Sequence, residues 1–560
     1  SQHSLLFRHA LIQDAAYQSL LTRKRFQSHH AIADAMVRSH PDIVATQPEL
    51  VARHYTEGRR EDLALPYWKK AGERALERSA NHEACDHFSN ALSLAERLPD
   101  GQERNVETLA ARLRLAEALT EVGRFRVAAT HYLVAAEQAR QGDDTDSFVR
   151  IAVGYDTAQF LGNEALDQSL ALLTEADART ALGDGRQHCT ILSRLARARL
   201  LLGDAEKSEN LGRRGIELAR RLGDRRSLFD LSVNPFLVPR QVLSSSEAES
   251  RLSEVSKLVE LSESINDDEL KMRAISIDAY ISAEIGDRAR VDRSLVAMNE
   301  LGEVRQRLHA QWIARHGAAM MAILDGDFAA AEDLAKEGLK LARLISGDQN
   351  VGVYGIQMFS IRREQGRLAE VAPVVKSLVD ENPGEKAWLP GFALIAADLG
   401  FEGPARRRLR ELAETGFELP FDAKRSASLS YVAEVACMLG ETDAAARVYE
   451  LMSVYRYMTI TAGIATVCYG AASRYLGMLA ATLGDFDKAE AHFEHALELN
   501  ERMRARPWLA HAKAEHALLL RRRGGRGDGE RAEVLANEAW EIAAELDMVR
   551  LKRRLQPTIQ

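Results

Sequence analysis

The feature that most constrains the fold is a phrase near the end of the chain, YLGMLAATLGDFDKAEAHFEHALELN from Tyr475, together with its echoes elsewhere. It reads as two helices joined by a tight turn. Leu476 and Gly477 fall in the first helix, Gly484 and Phe486 at the turn, and Ala489, Phe493 and Ala496 in the second. A glycine such as Gly484 ends a helix by accepting a left-handed backbone. Small alanines let the second helix approach the first, and the later aromatic fills the space between neighbouring pairs. One such pair leaves an apolar face open, so pairs must stack. GRFRVAATHYLVAAEQA repeats the pattern with Gly123, Phe125, Ala128 and Tyr132, and GDFAAAEDLAKEGLKLA repeats it with Gly326, Phe328 and Ala331. Weaker copies run along the rest of the chain, stepping by about 40 residues.

The pattern is similar to the tetratricopeptide repeat. It predicts an all-α, tetratricopeptide-like helical-hairpin solenoid, a right-handed superhelix of about a dozen repeats. Composition agrees: aromatics are only 6% of the 560 residues, which suits close helix packing better than strands. The expected organisation is a helical linker at 1–58, one block of repeats at 59–230, an irregular connection at 231–250 where LSVNPFLVPRQVLSSSEAES carries two prolines, and a second block at 251–560. DENPGEKAWLPGF, TGFELPFDAKRS and RRRGGRGDGER are further expected joints. The Arg-Gly-Asp triplet in the last reads as a polar loop between helices. TITAGIATVCYGAA, from Thr459, is rich in small residues and reads as a place of tight helix contact, with the lining of a groove as the alternative.

Little in the sequence points to chemistry. A net charge of -8 is not the basic footprint of a nucleic-acid binder. Cys85, Cys189, Cys437 and Cys468 are far apart, which gives no zinc ribbon and no disulfide framework, and fits a reducing, cytoplasmic setting. No apolar run is long enough to span a bilayer. The chain begins without Met in material that reads as mid-helix, as a piece of a longer polypeptide would. There is no GxxxxGK[ST] phosphate loop, HExxH pair or GxSxG elbow. His82, Cys85 and His87 lie close in NHEACDHF, but Ala84, Phe88 and Ala91 beside them match the packing face. His29 and His30, beside RKRF, read as a solvated basic face. We expect no catalytic residue, metal or cofactor.

Longer phrases narrow the resemblance. FRHALIQDAAYQSLLTRKRFQSHHAIADAM, PELVARHYTEGRREDLALPYWKKAGERALERSANHEACDHF and YGIQMFSIRREQGRLAEV resemble bacterial signalling proteins in which a STAND-type (AAA-like) ATPase precedes tetratricopeptide-like repeats. In that family the output is a class III adenylate/guanylate cyclase or a LuxR-type helix-turn-helix. The shared wording favours the cyclase branch. The resemblance implies that 1–58 holds the end of a winged helix and that the repeats are a non-catalytic sensor arm controlling an upstream ATPase. It implies a protein or peptide ligand in the superhelix groove, and for His9 a contact with nucleotide in the intact parent. Direct binding of nucleic acid or membrane is not expected. The alternatives are the arm of a LuxR-type regulator or an oligomerising scaffold.

Overall fold

The computed structural model describes residues 17–559 apart from 18, 79, 163, 181–184, 238–243, 306, 347–350, 372, 374–388 and 420–423. It contains two compact units, Ser1–Ala198 and Arg199–Gln560. The chain is a tetratricopeptide-like array of helical hairpins. No described helix is long and apolar enough to cross a membrane.

Unit 1 holds α1 (Thr22–Ser39), α2 (Pro41–Thr46), α3 (Pro48–Glu57), α4 (Glu61–Glu77), α5 (Asn81–Ala95), α6 (Gln102–Glu121), α7 (Phe125–Gln141), α8 (Thr145–Leu161), α9 (Asp167–Thr180) and most of α10 (Arg186–Leu201). Proline opens α2 and α3, where its missing N–H costs nothing. From α3 to α9 each helix packs on the next. The contacts are built on small residues facing rings. A Cβ on Gly72 of α4 would come within 2.5 Å of the Phe88 ring of α5, and one on Gly154 of α8 would meet Tyr132 of α7 equally closely.

Unit 2 holds α11 (Ala205–Leu222), α12 (Arg225–Val233), α13 (Ser245–Ile265), α14 (Asp268–Ile285), α15 (Arg288–Val304), α16 (Leu308–Asp325), α17 (Phe328–Ser346), α18 (Val351–Glu364), α19 (Leu389–Asp398), α20 (Glu402–Glu414), α21 (Arg425–Leu439) and α22 (Thr442–Met452). After a two-stranded hairpin come α23 (Ala472–Thr482), α24 (Phe486–Arg502), α25 (Arg506–Arg523), α26 (Asp528–Glu545) and α27 (Val549–Ile559). Gly-Asp dipeptides make several of the turns. Gly286 and Gly484 sit at φ +84° and +82°, and the aspartates that follow accept the backbone N–H of Arg290 and Lys488. The glycine ends one helix and the aspartate caps the next.

The segment from Thr459 is not a helix contact. It is an antiparallel hairpin, β1 (Thr459–Ala462) and β2 (Val467–Ala471), buried along both strands. Thr459, Ile460, Thr461, Val467 and Tyr469 are strand formers on either side of a Gly-Ile-Ala-Thr turn, and that local preference outweighs the helical surroundings. The Arg-Gly-Asp triplet spans the turn between α25 and the first residue of α26, Asp528. Asp528 accepts two bonds from Arg523 and one from Gly525 N–H, so its carboxylate is consumed within the turn. Of the expected joints, the stretch after Thr415 is described except at 420–423, and most of that around Asp380 lies outside the described residues. In the 231–250 stretch, α12 runs into a short 3-10 turn at Asn234–Phe236, 238–243 lie outside the described residues, and α13 begins at Ser245.

Candidate functional site: a helical wall closed over its own hairpin

A two-stranded sheet is all edge, and buried edges need hydrogen-bond partners. Here the helices supply them. Ser426 Oγ on α21 donates to Thr461 O at 3.1 Å, and Gln357 Nε2 on α18 donates to Thr466 O at 2.9 Å and to His316 O on α16 at 2.8 Å. His316 Nε2 lies 3.3 Å from Ile464 O. Ala471 N–H donates to Asn500 Oδ1 on α24 at 2.9 Å, and Thr459 Oγ1 donates to Ala283 O on α14 at 2.6 Å. Trp508 of α25 stacks near Tyr469, and a Cβ on Gly470 would come within 2.0 Å of its indole. The helices α14, α16, α18, α21 and α25 are first helices of their pairs. Their shared wall grips a segment of the same chain.

Beside Tyr469 the wall carries a buried ionic network. Arg363 donates to Asp398 Oδ2 at 2.5 Å and to both Glu434 oxygens at 2.6 and 3.1 Å. Arg474 holds Glu515 through two bonds of 2.7 and 2.9 Å and lies 3.6 Å from Glu434. Arg550, on α27, reaches Asp398 at 2.8 Å and Glu434 at 3.4 Å, and Arg554 lies 3.6 Å from Glu515. His511 Nε2 is 2.9 Å from Glu364. Three buried guanidiniums, with the partly exposed Arg554 at the rim, thus face four carboxylates. Burial alone would raise the Glu434 carboxyl, but Arg363 and Arg474 hold it well below the carboxylate range. Burial holds the His511 imidazole below its ordinary value, while His511, Arg550 and Arg363 hold the Glu364 carboxyl down at about 2 against its own burial.

A cavity of about 10 Å³ lies against Arg363, Glu364, Arg474, Trp508 and His511, with room for a single water-sized group. Trp508 Nε1 and His511 Nδ1 are buried there without a protein partner. A carboxylate held far below neutrality is a poor proton donor at pH 7. The network is built to hold elements together. It joins α18, α19, α21, α23, α25 and α27.

Unit 1 presents a different face. Glu73 on α4 pairs with Arg114 on α6, Arg114 also reaches Glu117 at 2.5 Å, and Glu117 accepts from Arg150 on α8 at 2.7 Å. This row of alternating charge follows the first helices and is half open to solvent, with the Glu73 and Arg150 side chains 48% and 51% exposed. His29 and His30 are half-buried, while Arg23 and Lys24 beside them are exposed. His29 Nδ1 lies 2.8 Å from His54 Nδ1, and His30 Nε2 lies 3.3 Å from Arg60 and 3.5 Å from Asp34, so both serve helix packing. Cys85 is buried and His87 packs on Trp68, on the core side of α5. No group of three metal-ligating side chains occurs among the described residues.

Gly123, Gly326 and Gly484 have φ of +72°, +85° and +82°, and Phe125, Phe328 and Phe486 open the following helices. Ala128, Tyr132, Ala331, Leu476, Ala489, Phe493 and Ala496 are buried. The Phe493 ring lies against Gly477 of its own pair and stacks on His516 of the next. His9 lies outside the described residues. The hairpin and the ionic network were missed from sequence. One signal was available: Glu73 and Arg114, Asp156 and Arg197, His316 and Gln357, and Arg474 and Glu515 are each 41 residues apart, the spacing from one first helix to the next.

The tetratricopeptide repeat family profile matches residues 470–502, the end of β2 with α23 and α24. Among solved structures, the chain is similar to the APC/C hetero-tetramer Cut9-Hcn1 at 12% identity and TM-score 0.46, covering 91% of this chain and 92% of that one. It is similar to the apo form of RapI at 11% identity and TM-score 0.33, covering 51% and 97%. A Rap protein complexed with competence and sporulation factor gives 12% identity and TM-score 0.35, covering 64% and 98%. No curated protein matches the sequence.

Proposed function

We propose that this chain is a non-catalytic regulatory repeat module that binds a protein or peptide partner and, in its parent polypeptide, controls an upstream ATPase with a cyclase output. The observation that carries the interaction role is the contrast between the two first-helix faces. Unit 2 fills its face with its own hairpin, whereas unit 1 turns the Glu73, Arg114, Glu117 and Arg150 row toward solvent. A row of mixed charge reads a partner by complementarity and gives specificity more than raw affinity. The link to an ATPase rests on the phrases shared with STAND-type signalling proteins. In such a switch the partner must bind one docking state of the array better than another, because equal affinity for both would shift nothing.

The test is to express the chain together with the polypeptide encoded ahead of it and to measure ATP turnover with and without residues 59–560. Removal of the repeats is expected to release turnover, and Arg114→Glu with Arg150→Glu to blunt the response to a partner. Unchanged turnover would sink the ATPase reading. Self-association as the only consequence of the repeats would favour a scaffold instead.

A further inference from the structure

We propose that the first-helix wall of unit 2 is a binding site for an uncharged, two-stranded peptide, filled in cis by residues 459–471, and that this hairpin leaves the wall without the helices unfolding. The proposal stands on the hairpin geometry and is independent of any ATPase.

Three observations support it. First, the insert has a neck. Ala472 N–H donates to Met458 O at 2.9 Å, and α22 packs directly on α23, so the helices on either side meet without help from the strands. Second, the wall recognises the insert as it would a separate peptide. Ser426, Gln357, His316 and Asn500 bond to main-chain atoms of the hairpin, and these side chains come from four helices distant from one another in sequence. Such bonds do not require the strands to be covalently joined to the wall. Third, the tip of the hairpin reaches the surface, although His316 meets its Ile464 carbonyl. Its strands are buried, but the tip residue Ile464 is 40% exposed between Gly463 and Ala465, which have φ of +67° and +51°.

The chemistry of the ligand follows from the segment TITAGIATVCYGA. It bears no charge, which suits a wall whose own arginines and carboxylates already neutralise one another. It needs a tyrosine in the second strand, because Tyr469 meets the Ser360 hydroxyl at 3.0 Å, the Tyr431 hydroxyl and the face of Trp508. It needs glycine at the next position, where Trp508 leaves no room for a Cβ.

The experiment uses the full chain with residues 459–471 replaced by Gly-Gly and, as probe, the synthetic peptide TITAGIATVCYGA labelled at its N-terminus. Fluorescence anisotropy is expected to show uptake by the deletion variant and none by the intact chain, with a peptide lacking the tyrosine ring (Tyr469→Ala) bound up to about tenfold more weakly. A folded deletion variant that ignores the peptide overturns the proposal. Should the variant not fold, the intact chain supplies the second measurement. With Cys85, Cys189 and Cys437 changed to alanine, the buried Cys468 thiol of β2 reports release of the hairpin. Labelling through an opening with shallow denaturant dependence is the expected result. Labelling that rises only with the steep dependence of global unfolding overturns the proposal.

Discussion

Replacing Glu434 by glutamine gives the sharpest test of the interior of unit 2. The carboxylate lies within 3.6 Å of three guanidiniums, those of Arg363, Arg474 and Arg550. Its side chain is 3% exposed. The substitution keeps shape and volume, so the change is one of charge: Arg363, Arg474 and Arg550 lose the carboxylate they share, in a site that water scarcely reaches. Breaking a buried pair this way costs about 3–5 kcal/mol, whereas an exposed pair is worth about 0–1 kcal/mol. The two cases are well separated. Urea unfolding at pH 7, followed by circular dichroism, is expected to show a lower midpoint at an unchanged slope for Glu434→Gln. Glu450→Gln is the control, because its partner Arg447 is 51% exposed and the pair sits at the surface. If Glu434→Gln matches that control to within about 1 kcal/mol, the carboxylate is solvated and the account of a closed interior is wrong.

Three further outcomes are expected. Gly470→Ala places a Cβ within 2.0 Å of Trp508 at φ +68°, and is expected to cost about 3 kcal/mol in thermal unfolding; a neutral result would mean that Trp508 does not lie there. Asp485→Ala removes the cap on α24 and is expected to cost about 1 kcal/mol, and Asn at the same position to restore most of it. Burial pushes the His316 imidazole down from 6.5 to about 4, so between those values the unfolded chain binds a proton that the folded chain refuses. Stability therefore rises with pH across that window and is lost as pH falls through it. Going from pH 7 to pH 5 is expected to cost about 2 kcal/mol from this residue alone, measured by urea midpoint, and His316→Gln to flatten that part of the slope.

The repeat grammar was legible because it is local. Gly484, Phe486, Ala489 and Phe493 lie within one helical pair, and the contact between Gly477 and the Phe493 ring follows from the requirement that two helices approach closely. The hairpin was less legible for the opposite reason. Thr459–Ala462 and Val467–Ala471 are strand formers, but nothing local says that Gln357, Ser426 and Asn500 will be present to pair their buried edges. The ionic network shows the same limit. Arg363 and Glu434 are 71 residues apart, and only the stacking of successive first helices makes them neighbours. A single helix likewise does not reveal that His54 and Arg60 pack against His29 and His30.

The central claim is that the helical wall of unit 2 closes on its own hairpin, and a double-mutant cycle between Tyr431 on α21 and Tyr469 on β2 tests it most directly. The two hydroxyls are hydrogen-bonded to each other and the rings pack edge to face with centroids 5.5 Å apart. Tyr431→Phe, Tyr469→Phe and the double variant are compared by urea unfolding. The expected result is a coupling of about 0.5–3 kcal/mol between the two changes. Additivity to within about 0.3 kcal/mol would place the hairpin elsewhere and contradict the account.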